Sequence, residues 1–464
     1  MNTTRTVDAI VIGAGPAGEV AAGALSDRGL TTALVERELV GGECSFYACM
    51  PSKTLLRPME LVAETRRVPG VTHASIETIA ALRRRDEVIH DLDDSSQLPW
   101  IEKRSIALVR GEAGLDGERR VVVTMRDGGT EVLEARRAVV LATGSGPVIP
   151  PVPGLRELMP WTNREITTAR QVPPRLLILG GGVVGVEMAQ AWASLGTRVT
   201  LVEKGLRLIA QEEELASEQV AAGLRAAGVE LLLDAEATAA RRDPEEDVAV
   251  LTVGTGADAR ELRAEVLLCA TGRAPRTAGL GLETIGIEVD GKPIEVDKHT
   301  RVPGVDWLYA VGDVNGRALL THEGKLQARV AAAQIAGRED IVLRDFGPPP
   351  RVIFTDPQVA AIGPTLAQAR ERGLDAIAVD ARIDATAGAS WHGKGVDQLA
   401  RFIVDTTRRV LLGATFTGPD VAELLHAASI AVVGEVPVER IAHAAPPFPT
   451  RSEIWLQLAA WAEK

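Results

Sequence analysis

An apolar run, a glycine-rich turn, an alanine-rich stretch and a second apolar run occur in this order twice along the chain. Asp8 to Arg37 reads DAIVIGAGPAGEVAAGALSDRGLTTALVER, and Arg175 to Lys204 reads RLLILGGGVVGVEMAQAWASLGTRVTLVEK. In each copy the pattern predicts a strand, a tight turn, a helix and a second strand ending in glutamate. The first motif glycine, Gly13 or Gly180, precedes that glutamate, Glu36 or Glu203, by 23 residues in both. A first glycine permits the turn. A second, Gly15 or Gly182, lets the backbone approach a pyrophosphate. A third, Gly18 or Gly185, lets helix and strand pack closely.

The pyrophosphate belongs at the helix N-terminus, on unpaired N–H groups and the positive end of the dipole, while the glutamate accepts from ribose hydroxyls. A lone GxGxxG is weak evidence, but here each copy follows a strand, opens a helix and carries the acid at the right distance. Two such sites imply two dinucleotides, a resident flavin (FAD) and a diffusible nicotinamide, the pairing that shuttles electrons. A carboxylate at Glu203 favours a free 2′-hydroxyl and hence NADH. Lys204 and Arg207 lie close enough to leave NADPH open.

Elsewhere the pattern is plainer. Residues 38 to 110 read as helices. VVVTMRDGGTEVLEARRAVVLATG reads as a hairpin around Asp127-Gly128-Gly129 followed by a buried strand. Pro147, Pro150, Pro151 and Pro153 read as a linker. Strands are expected in VELLLDAEATAARR, EDVAVLTVG, AEVLLCATGR and LYAVGD. Beyond a boundary near residue 345, strands in RFIVD and RRVLLGATF mix with helices in AELLHAASIAVV and SEIWLQLAAWAEK, as in a separate α+β domain.

Composition narrows the classes. The chain has 464 residues, 46% hydrophobic and 25% charged, an ordinary soluble composition long enough for roughly three domains. A net charge of -12 argues against a nucleic-acid partner, and no polybasic run or long apolar run suggests a membrane. Asp8 and the patterned glycines identify the N-terminus as mature structure rather than a signal peptide. Three cysteines are no disulfide scaffold, which points to a reducing cytoplasm.

Two of those cysteines lie five residues apart in GGECSFYACMPSK, Gly41 to Lys53. The pair reads as a redox centre, as half a zinc site, or as two inert thiols. A zinc site needs about four ligands, and no second cysteine or histidine cluster stands at suitable spacing. A thiolate near a helix N-terminus is activated, and Pro51 suits the first turn of such a helix. Cys269, in the apolar VLLCATG, reads as a buried structural thiol.

Taken together these pieces resemble the class I flavoprotein disulfide reductases, the family of dihydrolipoamide dehydrogenase, glutathione reductase, mercuric reductase and the soluble transhydrogenase. The resemblance runs along essentially the whole chain. It implies an α/β fold with two Rossmann-like dinucleotide-binding domains and a C-terminal α+β dimerisation domain. Residues 1–150 would bind FAD and carry the cysteine pair, 151–271 would bind NAD(P)H, 272–343 would complete the FAD domain, and 344–464 would form the interface of a homodimer. GAGPAG and ALVER resemble the FAD adenosine site, and Gly42 opens the redox segment. ATGSGP, with Thr143 and Gly144, and ATGRAP, with Gly272, resemble the motifs that close each dinucleotide domain. LYAVGDV resembles the strand whose aspartate, here Asp313, holds the flavin ribityl chain. By the same resemblance Cys44 is the interchange thiol and Cys49 the charge-transfer thiol of a Cys44–Cys49 disulfide, and Lys53 pairs with Glu187.

The chain departs from the family at APPFPTRSEIW. Where lipoamide and glutathione reductases carry a histidine before Pro449, with Thr450 and Glu453 downstream, this chain has Phe448, which cannot move a proton. That argues against both substrates. His443, five residues earlier, is the candidate substitute base, with a solvated or capping role as the plainer reading. Glu453 reads as an orienting or capping group. His426 reads as an interface or core residue, and His322 as a hydrogen-bonding group just after the flavin strand. The expected function is electron transfer from NADH through FAD to the cysteine pair and a small disulfide or dithiol substrate. The alternatives are an NAD(P)H dehydrogenase feeding a quinone or other acceptor, and a non-enzymatic redox sensor.

Overall fold

The computed structural model describes residues 3 to 463 apart from 73, 290, 394 and 396, and the side chain of 257. The chain forms two compact units. The first comprises Met1–Pro51, Arg85–Val148 and Arg273–Asp345, and the second Ser52–Arg84, Ile149–Gly272 and Phe346–Lys464.

The first unit is built on a six-stranded sheet. Thr3–Ile12 lies at its centre, parallel to Thr32–Glu36 on one side and to Thr130–Leu141 on the other. Ala107–Leu115 continues the parallel order beyond Thr32–Glu36, and Leu308–Ala310 joins beside Thr130–Leu141. Arg120–Met125 pairs antiparallel with both Ala107–Leu115 and Thr130–Leu141, so the hairpin at Asp127–Gly129 is present as the pattern implies. Both faces are covered, which is why these strands read as continuous apolar runs. Ala9 and Val11 point to the face packed by helices Pro16–Ser26 and Thr321–Ile335, while Ile10 and Ile12 point to the other, the period of two that a strand dictates; the register shifts between Val7 and Ala9, which puts Val7 with Ile10 and Ile12.

The second unit holds the repeated motif on a parallel sheet, in the order Val266–Cys269, Arg175–Leu179, Arg198–Val202, Glu230–Leu232. An antiparallel sheet of Ala237–Asp243, Val248–Val253 and Arg260–Ala264 is inserted into it. Residues beyond 346 form a five-stranded antiparallel sheet whose core includes Phe402, Phe416 and Trp455, with helices Leu425–Val433 and Ile454–Ala462 packed on it. The fold is thus mixed α/β with an α+β C-terminal portion.

The structure corrects several readings. Helices fill much of residues 38 to 110, including Cys49–Arg67 and Thr78–Val88, but a strand begins at Ala107. Pro147 ends a short strand, Ser145–Pro147, which pairs with Arg273–Pro275, so it is not part of a linker. Arg260–Ala264, Arg351–Ile353, Gln358–Ile362 and Ala376–Arg382 are strands that the apolar pattern did not reveal.

Candidate active site

Both glycine motifs take the geometry that their spacing implies. Gly13 has φ +99°, and a Cβ there would stand 2.5 Å from the Ala142 carbonyl oxygen. A Cβ on Gly18 would stand 1.8 Å from the Gly13 oxygen, so the helix sits against the strand as only glycine allows. At Gly15, the N-cap of Pro16–Ser26, nothing lies within 4 Å of a Cβ, which leaves the helix terminus open to a ligand. The second copy repeats this: Gly180 at φ +111°, Gly185 against the Gly180 oxygen, Gly182 open.

The two glutamates are fixed by their own motifs. Glu36 Oε2 accepts from Ala14 N at 2.7 Å and Oε1 from Glu38 N at 2.7 Å. Glu203 Oε2 accepts from Gly181 N and Oε1 from Gly205 N, both at 2.6 Å. Each carboxylate keeps lone pairs for a ribose hydroxyl. Arg207 donates to the carbonyls of Glu212 and Ala210, at 2.8 and 2.7 Å, and Lys204 is exposed. Beside the Gly13 turn, with Thr143 Cα 3.3 Å from where a Gly13 Cβ would stand, Thr143 Oγ1 donates to Arg276 O at 2.8 Å, and Ser145 Oγ donates to Asp313 Oδ2 at 2.5 Å. Glycine turn, open helix terminus, glutamate and Asp313 together fit a flavin dinucleotide in the first unit. The second copy fits a nicotinamide dinucleotide.

Cys44 lies in the short helix Gly42–Phe46, and Cys49 opens the helix Cys49–Arg67 with Pro51 in its first turn. No disulfide joins the two sulfurs here, where the resemblance implied one. Thr321 Oγ1 donates to Cys44 Sγ at 3.2 Å and stands 3.5 Å from Cys49 Sγ. Thr321 begins a 15-residue helix, Thr321–Ile335, so a helix N-terminus faces both sulfurs. The hydrogen bond to Cys49, followed by burial, holds the Cys44 thiol above its ordinary range, while Thr321 and Lys325 oppose the rise. The sequence reading passed over Thr321 for its neighbour His322, which is exposed.

In the second unit Lys53 Nζ reaches Glu187 Oε2 at 2.8 Å and lies 4.8 Å from the centre of the Phe354 ring. Glu187 is 3% exposed, and its Oε1 accepts from Phe354 N at 2.9 Å. The Lys53–Glu187 pair is therefore present, as the resemblance implied. Cys269 is buried, and burial pushes its thiol up to about 12, the state of an inert thiol.

The C-terminal segment differs from a proton-transfer site. Phe448 is 78% exposed. His443 is exposed at the end of the helix Val438–Ile441, its N–H donating to Arg440 O. Glu453 Oε2 accepts from Gly388 N at 3.0 Å, pinning the turn Ala387–Ser390. His426 is exposed on Leu425–Val433, not in the core. Among the described residues no group of three His, Cys, Asp or Glu could hold a metal ion, and no helix is long and apolar enough to cross a membrane.

Residues 7–339 match the family model of the pyridine nucleotide-disulphide oxidoreductases. The chain belongs to that family. Residues 349–459 match its dimerisation domain, which supports a homodimer. The chain is 32% identical to a mercuric reductase of Acidithiobacillus ferrooxidans over 99% of its length and 83% of that protein's. It is 33% identical to a dihydrolipoyl dehydrogenase of Mycobacterium bovis over 96% of each. Among solved structures it resembles the Cu(II) complex of the HOCl-induced flavoprotein disulfide reductase RclA from Escherichia coli, with TM-score 0.85, 26% identity, and 99% and 100% of the two chains covered. It also resembles LpdA from Mycobacterium tuberculosis, with TM-score 0.86, 25% identity, and 98% and 99% covered. Pyridine nucleotide-disulphide oxidoreductases are enzymes that use FAD and NAD(P)H, so this chain is a flavoprotein oxidoreductase.

Proposed function

We propose that this oxidoreductase takes two electrons from NADH and delivers them through the Cys44–Cys49 pair to a small disulfide substrate in the cytoplasm, or runs the reverse dithiol oxidation. The observation that carries this reading is the Thr321 hydroxyl at 3.2 and 3.5 Å from the two sulfurs, on a helix N-terminus that favours a thiolate. FAD would be held along Gly13–Gly18, Glu36 and Asp313 and would supply the two-electron carrier between nicotinamide and sulfur. Two electrons and two protons open the cysteine disulfide to a dithiol. Cys44, as thiolate, attacks the substrate disulfide and expels one thiol. Cys49 then attacks the mixed disulfide at Cys44, expels the second thiol and closes the pair again. Lys53, oriented by Glu187, supplies fixed positive charge from the helix that begins at Cys49. Glu203 favours NADH, and Arg207 is turned toward backbone carbonyls, while the exposed Lys204 leaves NADPH as the lesser donor.

Phe448 cannot transfer a proton from the position where lipoamide and glutathione reductases use histidine, and His443 is exposed, with only its backbone N–H bonded, to Arg440 O, among the described residues. Substrates whose leaving thiols need no protein acid are therefore favoured. The same residue supports a second reading, an NAD(P)H dehydrogenase serving a quinone or another acceptor that needs no thiol exchange.

Anaerobic titration with NADH separates the two. Uptake of four electrons per subunit, with a long-wavelength absorbance band at the first stage, marks a coupled dithiol, and Cys44→Ser then abolishes disulfide turnover while flavin is retained. Bleaching after two electrons without that band, with quinone reduction unchanged in Cys44→Ser, defeats the first reading and supports the second.

A further inference from the structure

The turn that carries Cys44 is held by a charge pair that neither glycine motif accounts for. Glu43, directly before Cys44, accepts from Arg276 Nη2 at 3.0 Å and lies 3.8 Å from Arg273 Nη2. Both arginines are held in place by a two-stranded ladder. Arg273 donates from Nε to Ser145 Oγ at 2.8 Å and from Nη2 to Ser145 O at 2.9 Å. Ser145 is 1% exposed and donates onward to Asp313. Arg276 N donates to Gly144 O at 2.9 Å, and its carbonyl accepts from Thr143. The charge beside Cys44 is thus fixed by buried, hydrogen-bonded groups rather than by mobile surface chains.

A carboxylate next to a nucleophilic thiol opposes its task, because negative charge disfavours the thiolate. The side chains of Glu43 and Arg276 are only 17% and 27% exposed, so solvent screens the pair weakly. Glu43 is nonetheless useful as an anchor, since its bond to Arg276 ties the Gly42–Phe46 turn to the ladder. Arg276 removes the electrostatic drawback of that anchor.

We propose that Arg276 is a positioning residue that sets the charge at the nucleophile: bonded to Glu43 and backed by Arg273, it offsets the carboxylate beside Cys44 so that Glu43 does not raise the thiol further. The inference rests on Cys44 being the interchange thiol.

The test uses the flavin-loaded protein in a Cys49→Ser background, where Cys44 is the accessible thiol and Cys269 is buried. The rate of alkylation by iodoacetamide is followed against pH. Arg276→Met leaves Glu43 with the more distant Arg273, so the thiolate titration moves up and the rate at pH 7 falls by roughly two- to fivefold. Glu43→Gln leaves both arginines without the carboxylate, so the titration moves down and the rate rises. The double variant returns to within about twofold of the parent, and Arg276→Lys, which keeps the charge, stays near it. Opposite signs with cancellation identify a charge pair. Single variants that shift the same way, or a double variant worse than either, show a mere brace and overturn the proposal. Failure of the underlying reading shows elsewhere, as a two-electron NADH titration without the long-wavelength band in the unmodified protein.

Discussion

Thr321 gives the reduced sulfurs a hydroxyl donor, and a hydrogen bond to a charged acceptor contributes about 1.5–3 kcal/mol. Thr321→Val keeps the shape and removes the donor. The expected result is about a tenfold loss in the rate of disulfide reduction and a weaker long-wavelength band, with flavin content unchanged, as read by rapid-mixing absorbance. Glu19, in the first turn of Pro16–Ser26, carries a buried oxygen with no hydrogen-bond partner. Burial pushes its carboxyl from 4.5 up to about 7, with Glu36 adding to the rise and Lys325 opposing it. The folded protein thus keeps a proton that the unfolded chain releases, and stability falls as pH rises from about 4.5 through about 7. Glu19→Gln is expected to melt higher than the parent at pH 8, by about 1–3 kcal/mol, and nearly with it at pH 5. Equal melting shifts at both values would contradict this. Neither residue announces itself in the sequence. A threonine at a helix start is commonplace, and the sulfurs that give this one meaning lie 277 and 272 residues away. The glycines are different, because a tight turn and a close helix contact leave no other residue type possible at Gly13 and Gly18.

At the level of elements, the turn Ala387–Ser390 shows how the C-terminal segment is positioned without a histidine. A Cβ at Gly388 would stand 2.0 Å from the Thr450 carbonyl carbon and 2.4 Å from Arg451 N, so the turn and the segment touch backbone to backbone. Glu453 closes the same contact from the other side, through Gly388 N. Gly388→Ala therefore has to move backbone, and a loss of at least about 2 kcal/mol in unfolding free energy is expected from denaturant titration, against about 1 kcal/mol for Gly228→Ala just after Glu214–Ala226, where nothing lies within 4 Å of a Cβ but the φ of +84° strains alanine. The parallel strands of both units were legible because burial on both faces leaves an apolar run. The inserted and C-terminal strands were not. Arg260–Ala264 is mostly polar and pairs only with Val248–Val253 among the described strands, and Arg351–Ile353 spans only three residues after a run of prolines. Such strands are specified by their partner rather than by their own periodicity.

For the molecule as a whole, the dimerisation domain presents an exposed stripe on Leu425–Val433, formed by His426, Ala427, Ile430 and Val433. Ile430 and Val433 are 59% and 50% exposed in the single chain. One face of an otherwise well-buried helix left apolar in this way suits a two-fold partner. Ile430→Glu combined with Val433→Glu is expected to shift the protein from dimer to monomer in light scattering, and an unchanged mass would place the interface elsewhere. The family and the α/β class were readable from the whole chain because the motifs occur in order. The division into units was less so, since helix Cys49–Arg67 starts in one unit and continues in the other.

The central sheet of the first unit is completed by Leu308–Ala310, a strand that follows the entire Ile149–Gly272 excursion into the second unit. The Rossmann segment from Arg175 to Cys269 is contiguous and able to pack as it emerges, whereas Thr130–Leu141, made early, must wait for Leu308–Ala310, made more than 160 residues later. The unit whose glycine turn fits a flavin dinucleotide is thus the first to be begun in translation, yet its sheet is complete only once residues 308–310 have been made.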